Sequence, residues 1–73
     1  MLPRNPFTPN TQSHRLYEYL RGEGEITTKE IHRLGCDTAR VRSEIRPYLR
    51  RNGLDYRVSY LEEGNRLYEI VGG

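Results

Sequence analysis

Apolar residues recur at the spacing of an α-helix in three stretches of the chain. In the first stretch, Leu16 and Leu20 stand four residues apart and predict the buried seam of a helix over residues 11–21. Asn10 or Thr11 can cap the first backbone N–H groups, and the glycines that follow the stretch end it. The pattern therefore predicts a short amphipathic helix in the N-terminal third of the chain.

The second helical stretch begins with a capping box. Thr27 can accept a hydrogen bond from the backbone N–H of Glu30, and the Glu30 carboxylate can accept one from the N–H of Thr27. A short extended piece precedes the box, and Ile31 and Leu34 share one face of a predicted helix over residues 28–34. The box thus predicts where the second helix starts.

The third helical stretch is the longest and is predicted over residues 38–51, after the three-residue turn Gly35-Cys36-Asp37. Its apolar face consists of Val41, Ile45, Tyr48 and Leu49. Pro47 has no N–H to donate and clashes with the carbonyl of the preceding turn, so we expect a kink or break near residue 46. Two helices joined by a short turn that contains glycine are typical of a helix-turn-helix.

Alternation of apolar and polar residues replaces helical spacing after residue 53. Residues 54–60 and 66–71 are predicted as two strands of a hairpin, joined by the loop Glu63-Gly64-Asn65. This loop would pair Tyr60 with Tyr68 and Val58 with Ile70 on the core face, and Leu61 with Leu67 on the outer face. The order of elements predicts an α+β fold.

This order resembles a winged helix-turn-helix, in which three helices precede a C-terminal two-stranded hairpin, the wing. The stretches that carry the resemblance are ITTKEIHRLG (26–35), DTARVRSEIRPYLRRNG (37–53) and LDYRVSYLEEGNRLYEIV (54–71). More narrowly, NTQSHRLYEYL with RLGCDTARVRSEI is similar to small helix-turn-helix proteins of phages and bacteria. The resemblance implies a winged domain over residues 11–73, double-stranded DNA as partner, and a role in transcription regulation or as a phage accessory factor.

Residues 1–10 precede this domain and are predicted as a flexible arm. Pro3, Pro6 and Pro9 recur at every third position, which favours extended polyproline II structure and prevents a helix. Leu2 and Phe7 are the apolar side chains that could dock the arm on the domain.

Charge is distributed unevenly along the 73 residues, although the net charge is only +2. Eleven of the twelve basic residues are arginine, which suits recognition of phosphate and guanine. Residues 33–57 contain seven arginines and three acidic residues, a net of +4, whereas residues 1–32 sum to zero and residues 58–73 to −2. The charge therefore predicts a DNA-binding face around the third helix.

The predicted contacts lie on the exposed face of the third helix, at the start of the second helix and on the hairpin. Arg40, Ser43 and Arg46 are expected to read bases, because the N-terminal half of a recognition helix enters the major groove. The alternative is a solvated face on which arginines pair with Asp37 and Glu44. The full predicted set is Thr28, Lys29, Thr38, Ala39, Arg40, Arg42, Ser43, Arg46, Arg50, Arg57 and Arg66.

Several other classes of function lack the residues they need. Cys36 is the single cysteine, which excludes an intramolecular disulfide, and it is expected to be a small buried residue rather than a metal ligand beside His32. No catalytic triad, glycine-rich phosphate loop or carboxylate pair stands out, so neither enzyme activity nor a cofactor is expected. Without an apolar run of membrane-spanning length or a secretory leader pattern, the chain is predicted to be cytoplasmic.

Two other functions remain beside sequence-specific DNA binding. One is a winged-helix interaction module that binds a host or phage protein, and the other is an excisionase-like factor that bends DNA beside a recombinase. The sequence leaves the oligomeric state open: so small a reader often needs a homodimer on two half-sites for useful specificity, and Tyr19, Leu61 and Leu67 are the candidate contacts for one. Most of the remaining tyrosines are predicted to lie in the core because of their spacing.

Overall fold

The computed structural model describes residues 2–72, so Met1 of the predicted arm and Gly73 of the predicted domain lie outside the described residues. Within this range the chain forms an α+β fold of three helices and three strands. The strands make one antiparallel sheet, and its last two strands form a hairpin. The predicted fold class, α+β with three helices and a C-terminal hairpin, is confirmed at this level.

The first helix, α1, spans Gln12–Glu23. Thr11 caps it, as its hydroxyl accepts a hydrogen bond from the N–H of His14 at 3.2 Å. Gly24 ends the helix in the left-handed conformation, at a φ of 79°, which costs glycine nothing because it has no Cβ. Gly22 lies inside the helix, so α1 runs two residues past its predicted end.

The first strand, β1 (Glu25–Thr27), leads directly into the second helix, α2 (Thr28–Arg33). The predicted capping box is confirmed, because Thr27 Oγ1 accepts from the Glu30 N–H at 3.2 Å and Glu30 Oε1 accepts from the Thr27 N–H at 2.9 Å. The side-chain oxygen of Asn65, in the hairpin, accepts a further backbone N–H of the first turn at 3.1 Å. The start of α2 is therefore fixed by its own sequence and by the hairpin.

The third helix, α3, covers residues 39–51 and follows a connection of five residues, 34–38, rather than the three predicted. Its first part, Val41–Ile45, has π-helical hydrogen bonding, and the Arg46 N–H donates to the carbonyl five residues earlier. Its second part, Arg46–Arg51, is α-helical. Pro47 follows the wide turn, which makes room for its ring and for its missing N–H. The irregularity predicted near residue 46 is thus a wider helical turn.

The hairpin consists of β2 (Leu54–Glu62) and β3 (Asn65–Gly72), joined by a two-residue turn. Its register differs from the predicted one by two residues, because Val58 pairs with Tyr68 and Tyr60 pairs with Arg66. A bulge between Tyr60 and Glu62 shortens the turn from the predicted three residues to two. The predicted pairing of Leu61 with Leu67 is therefore wrong, since Leu67 faces Ser59.

A shift of two residues keeps each side chain on its predicted face of the sheet but changes how far along the hairpin the core extends. Tyr56 and Tyr68 are buried on this face. Val58 and Tyr60, which were expected in the core, are 47 % and 72 % exposed. The helices therefore cover only the base of the hairpin, and the rest projects from the domain.

The sheet has the order β1-β3-β2, so β3 is its central strand. Ile26 of β1 pairs with Tyr68, on the edge of β3 opposite to β2. The extended piece between the first two helices is thus a full partner in the sheet. Its three residues anchor the hairpin to the helices.

The core lies between the three helices and one face of the sheet. Its buried members are Leu2, Leu16, Tyr17, Leu20, Ile26, Ile31, Cys36, Val41, Ile45, Leu49, Tyr56 and Tyr68. Among the described residues, no buried side-chain nitrogen or oxygen lacks a hydrogen-bond partner. The predicted apolar faces of all three helices are therefore the faces that pack.

The described part of the predicted arm, residues 2–10, lies against the domain. Leu2 is buried, and the Phe7 ring packs edge-on against Tyr17 and Tyr48 at centroid distances of 5.8 and 6.0 Å. The Tyr17 and Tyr48 hydroxyls donate to the backbone carbonyls of the third and fourth residues at 2.6 and 2.9 Å. Docking through Leu2 and Phe7, the stated alternative to a free arm, is the arrangement found.

Candidate nucleic-acid interface

A cleft of about 370 Å³ separates the N-terminal half of α3 from the hairpin. We call it the helix–hairpin cleft, and its lining consists of Thr38, Ala39, Arg42, Arg46, Tyr56, Val58, Arg66 and Tyr68. A smaller hollow of about 130 Å³ shares three of these residues and extends the surface to Thr28, Tyr60 and Gly64. Six predicted DNA contacts, Thr28, Thr38, Ala39, Arg42, Arg46 and Arg66, therefore meet on one surface.

The start of α3 directs its arginines into this cleft. The Asp37 carboxylate accepts the backbone N–H two residues later at 2.9 Å, which fixes where the helix begins. Val41 and Ile45 are fully buried against the core. Arg42 and Arg46 each follow one of them in sequence and stand four residues apart, so they share the neighbouring face.

Arg46 is held in place across the base of the cleft. Its Nε donates to Asp55 Oδ1 at 2.8 Å and its Nη2 to Asp55 Oδ2 at 3.5 Å. The guanidinium carbon lies 4.9 Å from the centre of the Tyr56 ring. The bond to Asp55 raises the pKa of Arg46, and the Arg46 guanidinium in turn lowers the pKa of Asp55 to about 2.

Arg42 and Arg66 supply the uncompensated charge of the cleft. Both side chains are exposed, and within residues 2–72 neither makes a salt bridge with a carboxylate. The backbone N–H of Arg66 donates to Thr28 Oγ1 at 3.0 Å, which ties β3 to the start of α2. Thr28 thereby positions the hairpin, while the two arginines remain available for an anionic ligand.

Arg40 and Ser43, two of the three residues predicted to read bases, do not line the helix–hairpin cleft. Arg40 donates to the Glu44 carboxylate at 2.8 Å, so the alternative pairing expected for this face is present. The Ser13 hydroxyl donates to the same carboxylate, and these two bonds lower the pKa of Glu44. Arg40 instead lines a separate hollow beside the arm, at Phe7.

Three further predicted contacts do not line the cleft, and each of them has a carboxylate partner. The pairs are Lys29–Glu62 at 2.7 Å, Arg50–Asp55 at 3.2 Å and Arg57–Glu69 at 3.4 Å. Lys29 lowers the pKa of Glu62 and compensates one of the two carboxylates near the hairpin turn. Because exposed pairs of this kind contribute little stability, a phosphate can compete for these cations.

The tyrosines and valine of the cleft were missed as functional residues. Tyr56 and Tyr68 are buried and line the cleft, and Val58 and Tyr60 are exposed along the same face of the hairpin. Burial raises the pKa of Tyr56. The sequence carries no signal that could have found them, because alternation of apolar and polar residues marks one face along the whole strand and does not show how far the helices cover it.

Of the three predicted dimer contacts, Leu61 near the hairpin turn is the exposed one. Tyr19 is partly buried, and its hydroxyl donates to the Glu30 carboxylate, which raises the pKa of Tyr19. Leu67 is half-buried. Leu61 is 49 % exposed beside the bulge and is the member of the predicted set that remains accessible.

Cys36 is buried in the turn between α2 and α3, as predicted. Within residues 2–72 there is no group of three or more His, Cys, Asp or Glu side chains that could hold a metal ion. Over the same range no helix combines the length and the apolar character needed to cross a bilayer.

Comparison with known proteins gives no relative: no protein-family model, no curated protein and no solved structure matches this chain. The function is therefore inferred from the chemistry of the helix–hairpin cleft.

Proposed function

We propose that this chain is a winged helix-turn-helix module that binds double-stranded DNA sequence-specifically. In this arrangement α3 enters the major groove, α2 lies across the backbone, and the hairpin lies alongside as the wing. The observation that carries the proposal is the convergence of Arg42, Arg46 and Arg66, from two different elements, on one cleft. A cytoplasmic transcription regulator or a phage accessory factor is the role that fits this activity.

The cleft offers two kinds of contact that DNA requires. Arg42 and Arg66 lack carboxylate partners among the described residues, and they suit the phosphate backbone. Arg46 is fixed and planar, and it suits the O6 and N7 acceptors of guanine in the major groove. Ala39, at the start of α3, offers a methyl group of the kind that contacts thymine.

The modest net charge does not argue against this function. Phosphate binding depends on where the cations lie rather than on the net charge alone. The described cleft brings three arginines together, and only Arg46 among them has a carboxylate partner, Asp55. The compensation of Glu62 by Lys29 also lowers the repulsion that the hairpin turn would otherwise exert on phosphate. We therefore expect affinity to be strongly dependent on salt.

Selection from a random duplex library at moderate salt tests the proposal and reads the site in one experiment. We expect a short enriched site that contains a guanine, with affinity that falls steeply as salt rises. Arg42→Ala should weaken binding to all sequences and reduce the salt slope by about one, whereas Arg46→Ala should relax preference at one base position. Arg21→Ala is the matched control, because it removes the same charge from α1, outside the cleft.

Absence of duplex binding at low salt would refute this proposal. Duplex binding without sequence preference would support the phosphate contacts and contradict base recognition by α3. A circular-permutation mobility assay distinguishes an excisionase-like role, because a bending factor makes the mobility depend on where the site lies in the fragment.

A second candidate function, binding of a protein partner, is favoured by the exposed apolar side chains of the hairpin. Val58, Tyr60 and Leu61 are 47 %, 72 % and 49 % exposed. Clusters of exposed apolar residues mark interaction sites. A partner that is retained after nuclease treatment and lost in Tyr60→Ser would support this function, and retention of that partner by Tyr60→Ser would contradict it.

A further inference from the structure

The carboxylate of Asp55 is fixed by its own strand at the point where it meets α3. Its Oδ1 accepts the backbone N–H of Tyr56 at 2.8 Å as well as the Nε of Arg46. Its Oδ2 accepts from Arg50 Nε at 3.2 Å and from Arg46 Nη2. The side chain is only 23 % exposed. The anchor for Arg46 is therefore a rigid part of β2 rather than a second mobile side chain.

Arg46 is consequently restrained on two sides. Asp55 holds one edge of the guanidinium, and the ring of Tyr56 supports one of its faces at 4.9 Å. A free arginine samples many rotamers, and ordering it during binding opposes complex formation. Here the bonds to Asp55 and the contact with the Tyr56 ring restrain Arg46 in the unbound protein, so the direction of the guanidinium is set before DNA arrives.

The restrained guanidinium keeps donors for a ligand. The bonds to Asp55 use Nε and one N–H of Nη2, and a guanidinium carries more N–H groups than these. Arg46 lines the helix–hairpin cleft and its side chain is 35 % exposed, so a ligand in the cleft can reach this side chain. Guanine presents two in-plane acceptors, O6 and N7, that match two N–H groups of an arginine held in one plane.

We infer that Asp55 is a specificity-determining positioning residue: it holds Arg46 in the orientation that pairs with guanine and thereby sets a base preference without touching DNA. This inference rests on the proposed DNA-binding function. Loss of Arg46 therefore removes a contact with the base, whereas loss of Asp55 keeps that contact but lets the Arg46 guanidinium adopt other orientations.

The isosteric variant Asp55→Asn tests the inference on the full chain. Binding is measured to the selected duplex, to the same duplex with the guanine replaced, and to a random duplex. A well-formed arginine–guanine pair discriminates by about 5- to 150-fold, and we expect this preference to fall by about fivefold or more, toward equal binding, in the variant. Binding to the random duplex should stay equal or become tighter, because one negative charge is removed.

Two further variants separate positioning from charge and from folding. Glu69→Gln makes the same carboxylate-to-amide change opposite Arg57, on a residue that does not line the cleft, so it should leave the guanine preference unchanged. In an Arg46→Ala background, Asp55→Asn should cause no additional loss of preference, because its effect passes through Arg46. Circular dichroism of each variant verifies that it is folded.

Each other outcome decides against the inference. If Asp55→Asn tightens binding to all duplexes and the guanine preference survives, Asp55 only competes with phosphate for Arg46. If preference and random binding fall equally, the role of Asp55 is purely structural. If the unmodified chain binds duplex DNA but Arg46→Ala alters no base position, this inference is wrong and the proposed function stands. If the unmodified chain binds no duplex, both are wrong.

Discussion

Replacement of Phe7 by alanine measures how firmly the N-terminal segment belongs to the domain. The ring of Phe7 makes edge-on contacts with Tyr17 and Tyr48, which contact each other at 5.6 Å. Loss of two such contacts costs about 1–3 kcal/mol, and loss of a half-buried aromatic surface adds about 1 kcal/mol. We therefore expect Phe7→Ala to lower the free energy of unfolding by about 2–4 kcal/mol.

This loss is large for a chain of 73 residues, whose total stability is expected to be about 4–11 kcal/mol. Urea unfolding followed by circular dichroism gives the difference directly, with the slope of the transition compared between variants. Thr8→Ala is the control, because the neighbouring residue is exposed and should change stability by less than about 0.5 kcal/mol. Equal stability of the Phe7→Ala and Thr8→Ala variants would refute the reasoning, since a segment that does not pack cannot stabilise.

Three other predictions concern local features. Thr27→Ala should cost about 1 kcal/mol of unfolding free energy in urea titrations, because it removes the capping box of α2. Gly24→Ala should cost about 1–2 kcal/mol through its left-handed backbone alone, as nothing lies near an added Cβ, whereas Gly22→Ala should stabilise α1; equal effects would contradict this. The stability that Asp55 contributes should be present above its ordinary pKa of 3.8 and lost as the pH falls toward 2, because its folded pKa is about 2. Denaturant midpoints between about pH 5 and 2 should therefore fall less in Asp55→Asn than in the unmodified chain.

The helices were predictable because their ends are set by neighbouring residues. Thr11, the Thr27 and Glu30 box and Gly24 act within a few residues of the backbone groups that they satisfy. The position of the wide turn before Pro47 was predictable, because proline has no N–H to donate within a helix. Its geometry was not, because the same missing N–H is compatible with a kink, a break or a π-helical turn.

The sheet was less predictable because its pairings join residues that are distant in sequence. The register of the hairpin depends on the bulge at Leu61, and alternation of apolar and polar residues is the same with or without it. The pairing of Ile26 with Tyr68 spans most of the chain. A three-residue apolar–polar pattern carries no information about a partner so far away.

For the candidate site, the sequence located the basic segment but not the state of each arginine. The predicted set around α3 includes Arg42 and Arg46, which line the cleft, but it also includes Arg40 and Ser43, which do not. The partners that engage Arg57 and Lys29, however, come from the hairpin, and their identity depends on its register. The same holds for Asp55, because only the packing of β2 against α3 brings its carboxylate to Arg46.

The central place of β3 in the sheet has a consequence for how the protein is made. Residues 25–27 and 54–62 have no contact as strands except through residues 65–72, which pair with both. During translation the two earlier strands therefore expose unpaired edges until β3, which follows them in sequence and lies between them in the sheet, has left the ribosome. Unpaired strand edges promote aggregation and degradation. Only a chain that has been translated through β3 can close the sheet, so a product that ends before residue 65 leaves both earlier strands unpaired.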